Sequence, residues 1–167
     1  WMCHSMARIY LETTIFSFYF EVRSEPDMVA RRDWTRRWLD NVDCSGNELV
    51  TSLAVVGELD RGEFPGKAEA LQLLERYPVE DISEPVIEIV EAYIARMVMP
   101  NDPTGDALHL ALASYHQCDF LATWNCKHLA NANKFDHIRR VNGILGLTVP
   151  SLVTPLELLG ENPSDEK

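Results

Sequence analysis

The residues of this chain that can do chemistry are acids and amides set where short apolar runs give out. Four stretches carry them: Ile9-Tyr10-Leu11-Glu12-Thr13-Thr14, Val55-Val56-Gly57-Glu58-Leu59, Thr104-Gly105-Asp106-Ala107-Leu108-His109-Leu110-Ala111 and Phe120-Leu121-Ala122-Thr123-Trp124-Asn125. An acidic group inside a hydrophobic segment is costly unless something cationic meets it. Hard oxygen donors from separate segments are the ligand set of a cation such as Mg²⁺. Glu12, Glu58, Asp106 and Asn125 are therefore the candidate metal ligands. In this reading Asp106 and Glu12 bind directly, Glu58 orients waters or binds the same ion, and Asn125 offers a neutral amide oxygen.

The elements that must position them follow from pattern. Ala7 to Leu11 reads as a buried first strand and Leu49 to Ser52 as a second, with Glu58 near the start of the helix that follows and Gly62, Pro65 and Gly66 ending it. Asp27 caps a helix to about Asn41, with Trp34 and Trp38 on its buried face. Lys67 to Tyr77 is a further helix, with Ala68, Leu71 and Leu74 inward. Val79 to Ile82 is a brief strand. Ser83 caps the next helix, Pro85 sits in its first turn, and its apolar stripe runs from Val86 to Met97. Helix 104–117 carries Asp106 in its first turn, strand 120–123 leads to Asn125, and a polar helix spans 127–142. Thr148 to Val153 is a last strand and Pro155 to Leu159 a short helix. Strands alternating with helices imply an α/β fold: a three-layer α/β/α sandwich with a mostly parallel central sheet. Sites in such sheets form beyond the carboxyl ends of the strands, where Glu12 and Asn125 fall.

The 167 residues suit one domain, placed at 6–160, with 1–5 read as an N-terminal extension or cloning remnant before a start at Met6, and 161–167 as a flexible tail. No run approaches the ~20 apolar residues that cross a bilayer, and Trp1 to Met6 does not read as a signal peptide. Cys3, Cys44, Cys118 and Cys126 lack zinc or redox spacing, so reduced thiols in a cytoplasmic protein are expected; only proximity to Asn125 recommends Cys126 as a nucleophile. The net charge of −11 runs against a general nucleic-acid binder. Any phosphate contact must therefore be local. Arg31, Arg32, Arg36 and Arg37 read best as a solvated helix face, whereas Lys127, His128, Lys134, Arg139 and Arg140 follow Asn125 and have the better claim. The aromatic run Phe16, Phe18, Tyr19, Phe20 reads as core in preference to a base-stacking surface.

With these residues in view, the chain resembles the PIN-domain family, and within it the VapC-like toxins of prokaryotic toxin–antitoxin pairs. The resemblance covers Met6 to about Gly160 and rests on Tyr10-Leu11-Glu12-Thr13-Thr14, Glu58-Leu59-Asp60-Arg61-Gly62, Asp106-Ala107-Leu108-His109-Leu110-Ala111 and Leu121-Ala122-Thr123-Trp124-Asn125, in that order. It implies a ribonuclease using one or two Mg²⁺ or Mn²⁺ ions held by an acidic quartet. The quartet carries over to Glu12 and Asn125, both at positions where the family usually has Asp, and to Glu58 and Asp106, which match. Thr123 matches a hydroxyl that steadies the site. The extra methylene of Glu12 repositions its ion, and the neutral Asn125 weakens a second ion more than the first. The resemblance further implies an RNA substrate, an antitoxin whose C-terminal segment covers the site, and a homodimer.

Other readings remain at this level. Asp106 can be a helix N-terminal acid contributing about 0.3–1 kcal/mol. Asn125 can cap the next helix, and His109 can be a core histidine or one that orients a ligand without touching the ion. The whole domain can be a catalytically weakened module that binds RNA or a protein. A phosphoacceptor domain with the same alternation needs two adjacent acids near the first strand, and only Glu12 stands there.

Overall fold

The structure, a computed structural model, describes residues 6–42, 46–96, 105–125 and 132–160, the side chains of 132–135 aside. Among them five strands, β1 (Arg8–Leu11), β2 (Glu48–Ser52), β3 (Val79–Glu80), β4 (Phe120–Ala122) and β5 (Ser151–Val153), form one sheet in the order β3-β2-β1-β4-β5. Every neighbouring pair is parallel. Parallel neighbours need long crossovers. The described helices are α1 (Thr13–Tyr19), α2 (Pro26–Val42), α3 (Leu53–Arg61), α4 (Lys67–Leu74), α5 (Glu84–Ala95), α6 (Asp106–Tyr115), α7 (Ala132–Leu145) and α8 (Pro155–Leu159).

Successive side chains of a strand point to opposite faces, yet Ile9, Tyr10 and Leu11 are all buried, so helices cover both sides of the sheet. Helices α1 to α4 and α8 pack among themselves, as do α5 to α7. The result is the α/β/α sandwich expected from the alternation. Strand order reverses at β1, whose neighbours β2 and β4 lead to opposite halves of the sheet. Such a reversal opens a crevice at the carboxyl ends of the strands. The β1–β4 register pairs Leu11 with Ala122, so its next step sets Glu12 beside Thr123.

Several local expectations shift. The aromatic run folds as α1, a helix the apolar pattern alone did not mark, and Phe16 and Phe18 are core residues. Helix α4 ends at Leu74, short of Tyr77, and buries Ala70, Leu73 and Leu74 while Ala68 is exposed; the apolar stripe is rotated because the helix must face α1 and α3. Trp38 is buried but Trp34 only partly so. Ser83 holds the N-cap position of α5 without a side-chain cap bond, and its buried hydroxyl finds no partner among the described residues. The expected N-terminal extension and tail, Met97, the 100–104 break and the start of the polar helix at 127–131 lie outside the described residues, as do Cys3, Cys44 and Cys126. No described helix is long and apolar enough to cross a membrane.

Two glycines give opposite expectations. Gly66 begins α4 at φ +88°, and a Cβ there would lie 2.8 Å from Phe20 Cβ. Gly143 lies within α7 with open space around it. In urea unfolding, Gly66→Ala should cost on the order of 1–3 kcal/mol, whereas Gly143→Ala should gain about 0.5–1 kcal/mol.

Candidate metal centre

Three strands end at the crevice, and each hands its chain to a polar residue. Glu12 follows β1 and caps α1, its carboxylate accepting from Thr14 N at 3.1 Å. Ser52 ends β2 and caps α3. Thr123 follows β4. A carboxylate at a helix N-terminus also meets the positive end of the helix dipole.

Glu12 is 4% exposed, and a buried carboxylate is tolerated only where donors replace water. Oε2 accepts from Thr14 Oγ1 at 2.5 Å and Thr123 Oγ1 at 2.7 Å, besides Thr14 N. The turn after β4 fixes both hydroxyls: Trp124 N donates to Thr14 Oγ1 at 2.8 Å and Asn125 N to Thr123 Oγ1 at 3.0 Å. Each hydroxyl accepts from the backbone and so directs its own proton at Glu12. The described bonds all fall on Oε2, which leaves Oε1 as the oxygen for a further ligand.

Glu58 reaches the same place from the second turn of α3. Its Oε2 accepts from Thr13 Oγ1 at 2.6 Å, and its Oε1 lies 2.7 Å from His109 Nε2. The other imidazole nitrogen, Nδ1, lies 2.7 Å from the hydroxyl of Tyr10, which in turn lies 2.7 Å from Ser52 Oγ. His109 and Tyr10 are 1% and 0% exposed. A continuous polar chain therefore runs Ser52, Tyr10, His109, Glu58, Thr13 through the core.

One ligand atom each from Glu12, Glu58 and His109 lies within 4.8 Å of the others. Two carboxylates and an imidazole fit a divalent cation, since the carboxylates supply hard oxygens and charge. Asp106 does not join this triplet; it is partly exposed, one helical turn before His109, and its charge acts on the imidazole. Asn125 is exposed, and its described hydrogen bond is the backbone one to Thr123. Thr123 donates directly to Glu12, the steadying contact expected of it.

Sequence reasoning left His109 as a core or orienting residue and did not single out Tyr10, Ser52 or Thr14. One signal was present for His109: it stands three residues after Asp106, and such pairs share a helix face. The arginines of α2 are more engaged than a solvated face. Arg31 lies 5.7 Å from the Phe18 and Trp124 ring centres, and Arg36 donates to Tyr19 O at 2.6 Å, while Arg32 pairs with Asp33. Of the second basic patch, Arg139 and Arg140 are exposed; Lys127, His128 and the Lys134 side chain lie outside the described residues.

No protein-family model and no curated sequence matches the chain. Solved structures do. A chain of a toxin–antitoxin complex from Klebsiella pneumoniae is 21% identical, with a TM-score of 0.54 over 88% of this chain and 97% of that one. A chain of VapBC2 from Rickettsia felis, bound to a DNA fragment from its promoter, is 15% identical, with a TM-score of 0.57 over 88% of this chain and 98% of that one. The protein thus has the PIN-like α/β fold of VapBC chains.

The charges of the centre couple to stability. Burial works to lower the His109 pKa, but the Glu58 hydrogen bond and the charges of Glu12, Glu58 and Asp106 outweigh it, leaving it above its ordinary 6.5. Burial works to raise the Glu58 pKa, but the His109 hydrogen bond and charge and the Thr13 hydroxyl hold it below its ordinary 4.5. A raised imidazole pKa stabilises the fold fully below 6.5 and ceases to as pH rises through the folded value; a lowered carboxyl pKa stabilises above 4.5 and ceases to as pH falls through its folded value. In chelator, the unfolding free energy of wild type minus that of His109→Asn should therefore be flat and maximal between pH 4.5 and 6.5, falling on both sides.

Proposed function

We propose that this protein is a metal-dependent endoribonuclease of the VapC-like toxin type, hydrolysing RNA phosphodiester bonds with Mg²⁺ or Mn²⁺. The observation that carries this reading is the convergence of Glu12 and Glu58 with His109, within 4.8 Å, at the reversal point of a PIN-like sheet. Glu12 would be the anchor, because its Oε2 is saturated by hydroxyl and amide donors while its Oε1 carries none of the described hydrogen bonds. Glu58 would share the ion and orient the attacking water, its carboxylate held by Thr13. Asp106 would add charge near the ion from the first turn of α6, outside the group formed by Glu12, Glu58 and His109. Asn125 contributes an uncharged oxygen, and Thr123 acts through Glu12. A divalent ion bound there supplies charge to the phosphoryl oxygens and acidifies water. In the reaction water oxygen bonds to phosphorus as the bond to the leaving nucleotide oxygen breaks and that oxygen takes up a proton.

A net charge of −11 also favours a protein partner with a basic segment that enters this pocket, as an antitoxin would. Homodimer formation and a cytoplasmic setting, where RNA is available, complete the proposal. The neutral Asn125 favours a second reading, a catalytically weakened module that binds RNA or a protein.

Cleavage of labelled RNA, with and without Mg²⁺ or Mn²⁺, tests it. Glu12→Gln, Glu58→Gln and Asp106→Asn should each lower the rate at least about 100-fold, the scale set by loss of a metal ligand or charge stabilisation. Equal cutting by these variants, or cutting in chelator, would place activity elsewhere. Millimolar Mn²⁺ affinity with no cutting would favour the weakened module.

A further inference from the structure

His109 is fully enclosed, yet both of its ring nitrogens are aimed. Nδ1 faces the Tyr10 hydroxyl inside the core, and Nε2 faces Glu58 Oε1, with Glu12 in the same group of possible ligand atoms. An imidazole buried only for packing would be replaced at lower cost by a leucine, because each buried polar atom needs a partner. The ring is also held from behind, its centre 5.7 Å from that of Tyr10 at an interplanar angle of 58°. Nε2 and Glu58 Oε1 are 2.7 Å apart. Adjacent ligand atoms around an ion with bonds of ~2.1 Å lie about 3 Å apart, so the pair is already near coordination spacing.

We propose that His109 is a direct nitrogen ligand of the divalent ion, held by Tyr10 and Ser52 as positioning residues, and that the site accordingly favours Mn²⁺ over Mg²⁺. This rests on the reading of the pocket as a divalent-cation site. A histidine that ligates through Nε2 must carry its proton on Nδ1 and donate it to a partner. The Tyr10 oxygen accepts that proton's hydrogen bond and passes its own to Ser52 Oγ, which retains capacity beside its long contact of 3.4 Å from Val55 N. Phenylalanine at position 10 would leave a buried Nδ1–H unpaired and favour the other tautomer, with the proton on Nε2 where the ion should sit. Nitrogen donors suit transition ions, whereas Mg²⁺ prefers oxygen, which sets the direction of selectivity.

The test uses the full chain and Mn²⁺ alone, read by calorimetry and by pulsed electron paramagnetic resonance. Wild type should bind Mn²⁺ at least about tenfold more tightly than Mg²⁺ and show nitrogen hyperfine coupling of an imidazole. The coupling should vanish in His109→Asn. Tyr10→Phe should weaken Mn²⁺ about 10–100-fold while its thermal midpoint shows it folded. Should His109→Asn fail to fold, the presence or absence of imidazole nitrogen coupling in wild type carries the same decision. Binding abolished by Glu12→Gln but without nitrogen coupling would overturn the role of His109 and leave the cation reading intact. Coupling that persists in folded His109→Asn would overturn it too. No Mn²⁺ binding at millimolar metal would overturn the cation reading itself, and this inference with it.

Discussion

The structure depends on keeping one carboxylate, that of Glu12, out of water. An ionised carboxylate at 4% exposure costs several kcal/mol unless its hydration is replaced. Three donors replace it, and each bond to a charged acceptor contributes roughly 1.5–3 kcal/mol. Those donors come from both sides of the strand-order reversal. Thr14 belongs to the helix that Glu12 itself caps, and Thr123 to the end of the neighbouring strand. The register between β1 and β4 is thereby tied to the chemistry of the crevice: a one-residue slip would turn Thr123 to the other face of the sheet and strand the acid.

From this anchor the polar chain extends into the core. Glu58 and His109 lie on α3 and α6, helices from the two different layers, and meet directly, while Tyr10 on the central strand holds the other nitrogen of His109. Their hydrogen bonds run from the central strand to both helices, so the layers are linked by oriented bonds as well as by apolar contact. The tryptophan after Thr123 adds a second tie. Its backbone amide holds Thr14, and its indole nitrogen donates to Thr35 Oγ1 at 2.8 Å, joining α2 to the end of β4. Trp34 stacks on the same indole, with ring centres 6.2 Å apart. Packing in this region and the orientation of the acid are therefore one arrangement.

The chain's acidity is compatible with such a centre because the relevant charges are local. The charges of Glu12, Glu58 and Asp106 all act on His109, and with the Glu58 hydrogen bond they hold its pKa above the ordinary value against burial. The charge of Arg61 helps to keep Glu58 ionised, and Arg31 is held against the Phe18 and Trp124 rings. Glu58, by contrast, is held by an imidazole and a hydroxyl, partners that leave its charge available.

Much of this was legible in the residues. Alternating apolar runs and helix signals placed the five strands in order, since strand and helix periods differ and Gly62, Pro65 and Pro85 mark boundaries. Glu12 stood out because it ends a buried strand, whereas Glu58, half-buried in the structure, could by sequence also be a solvated first-turn acid. The tertiary structure alone decided what they meet. Periodicity cannot reveal that Tyr10, an apolar-looking strand residue, spends its hydroxyl on His109 and Ser52, or that Thr14 and Thr123 close on one oxygen from 109 residues apart. Nor could it separate Asp106, outside the triplet, from His109, within it, though they share a helix face. Local spacing determines which face a side chain takes; only the pairing of strands across the sheet determines which distant side chain waits there.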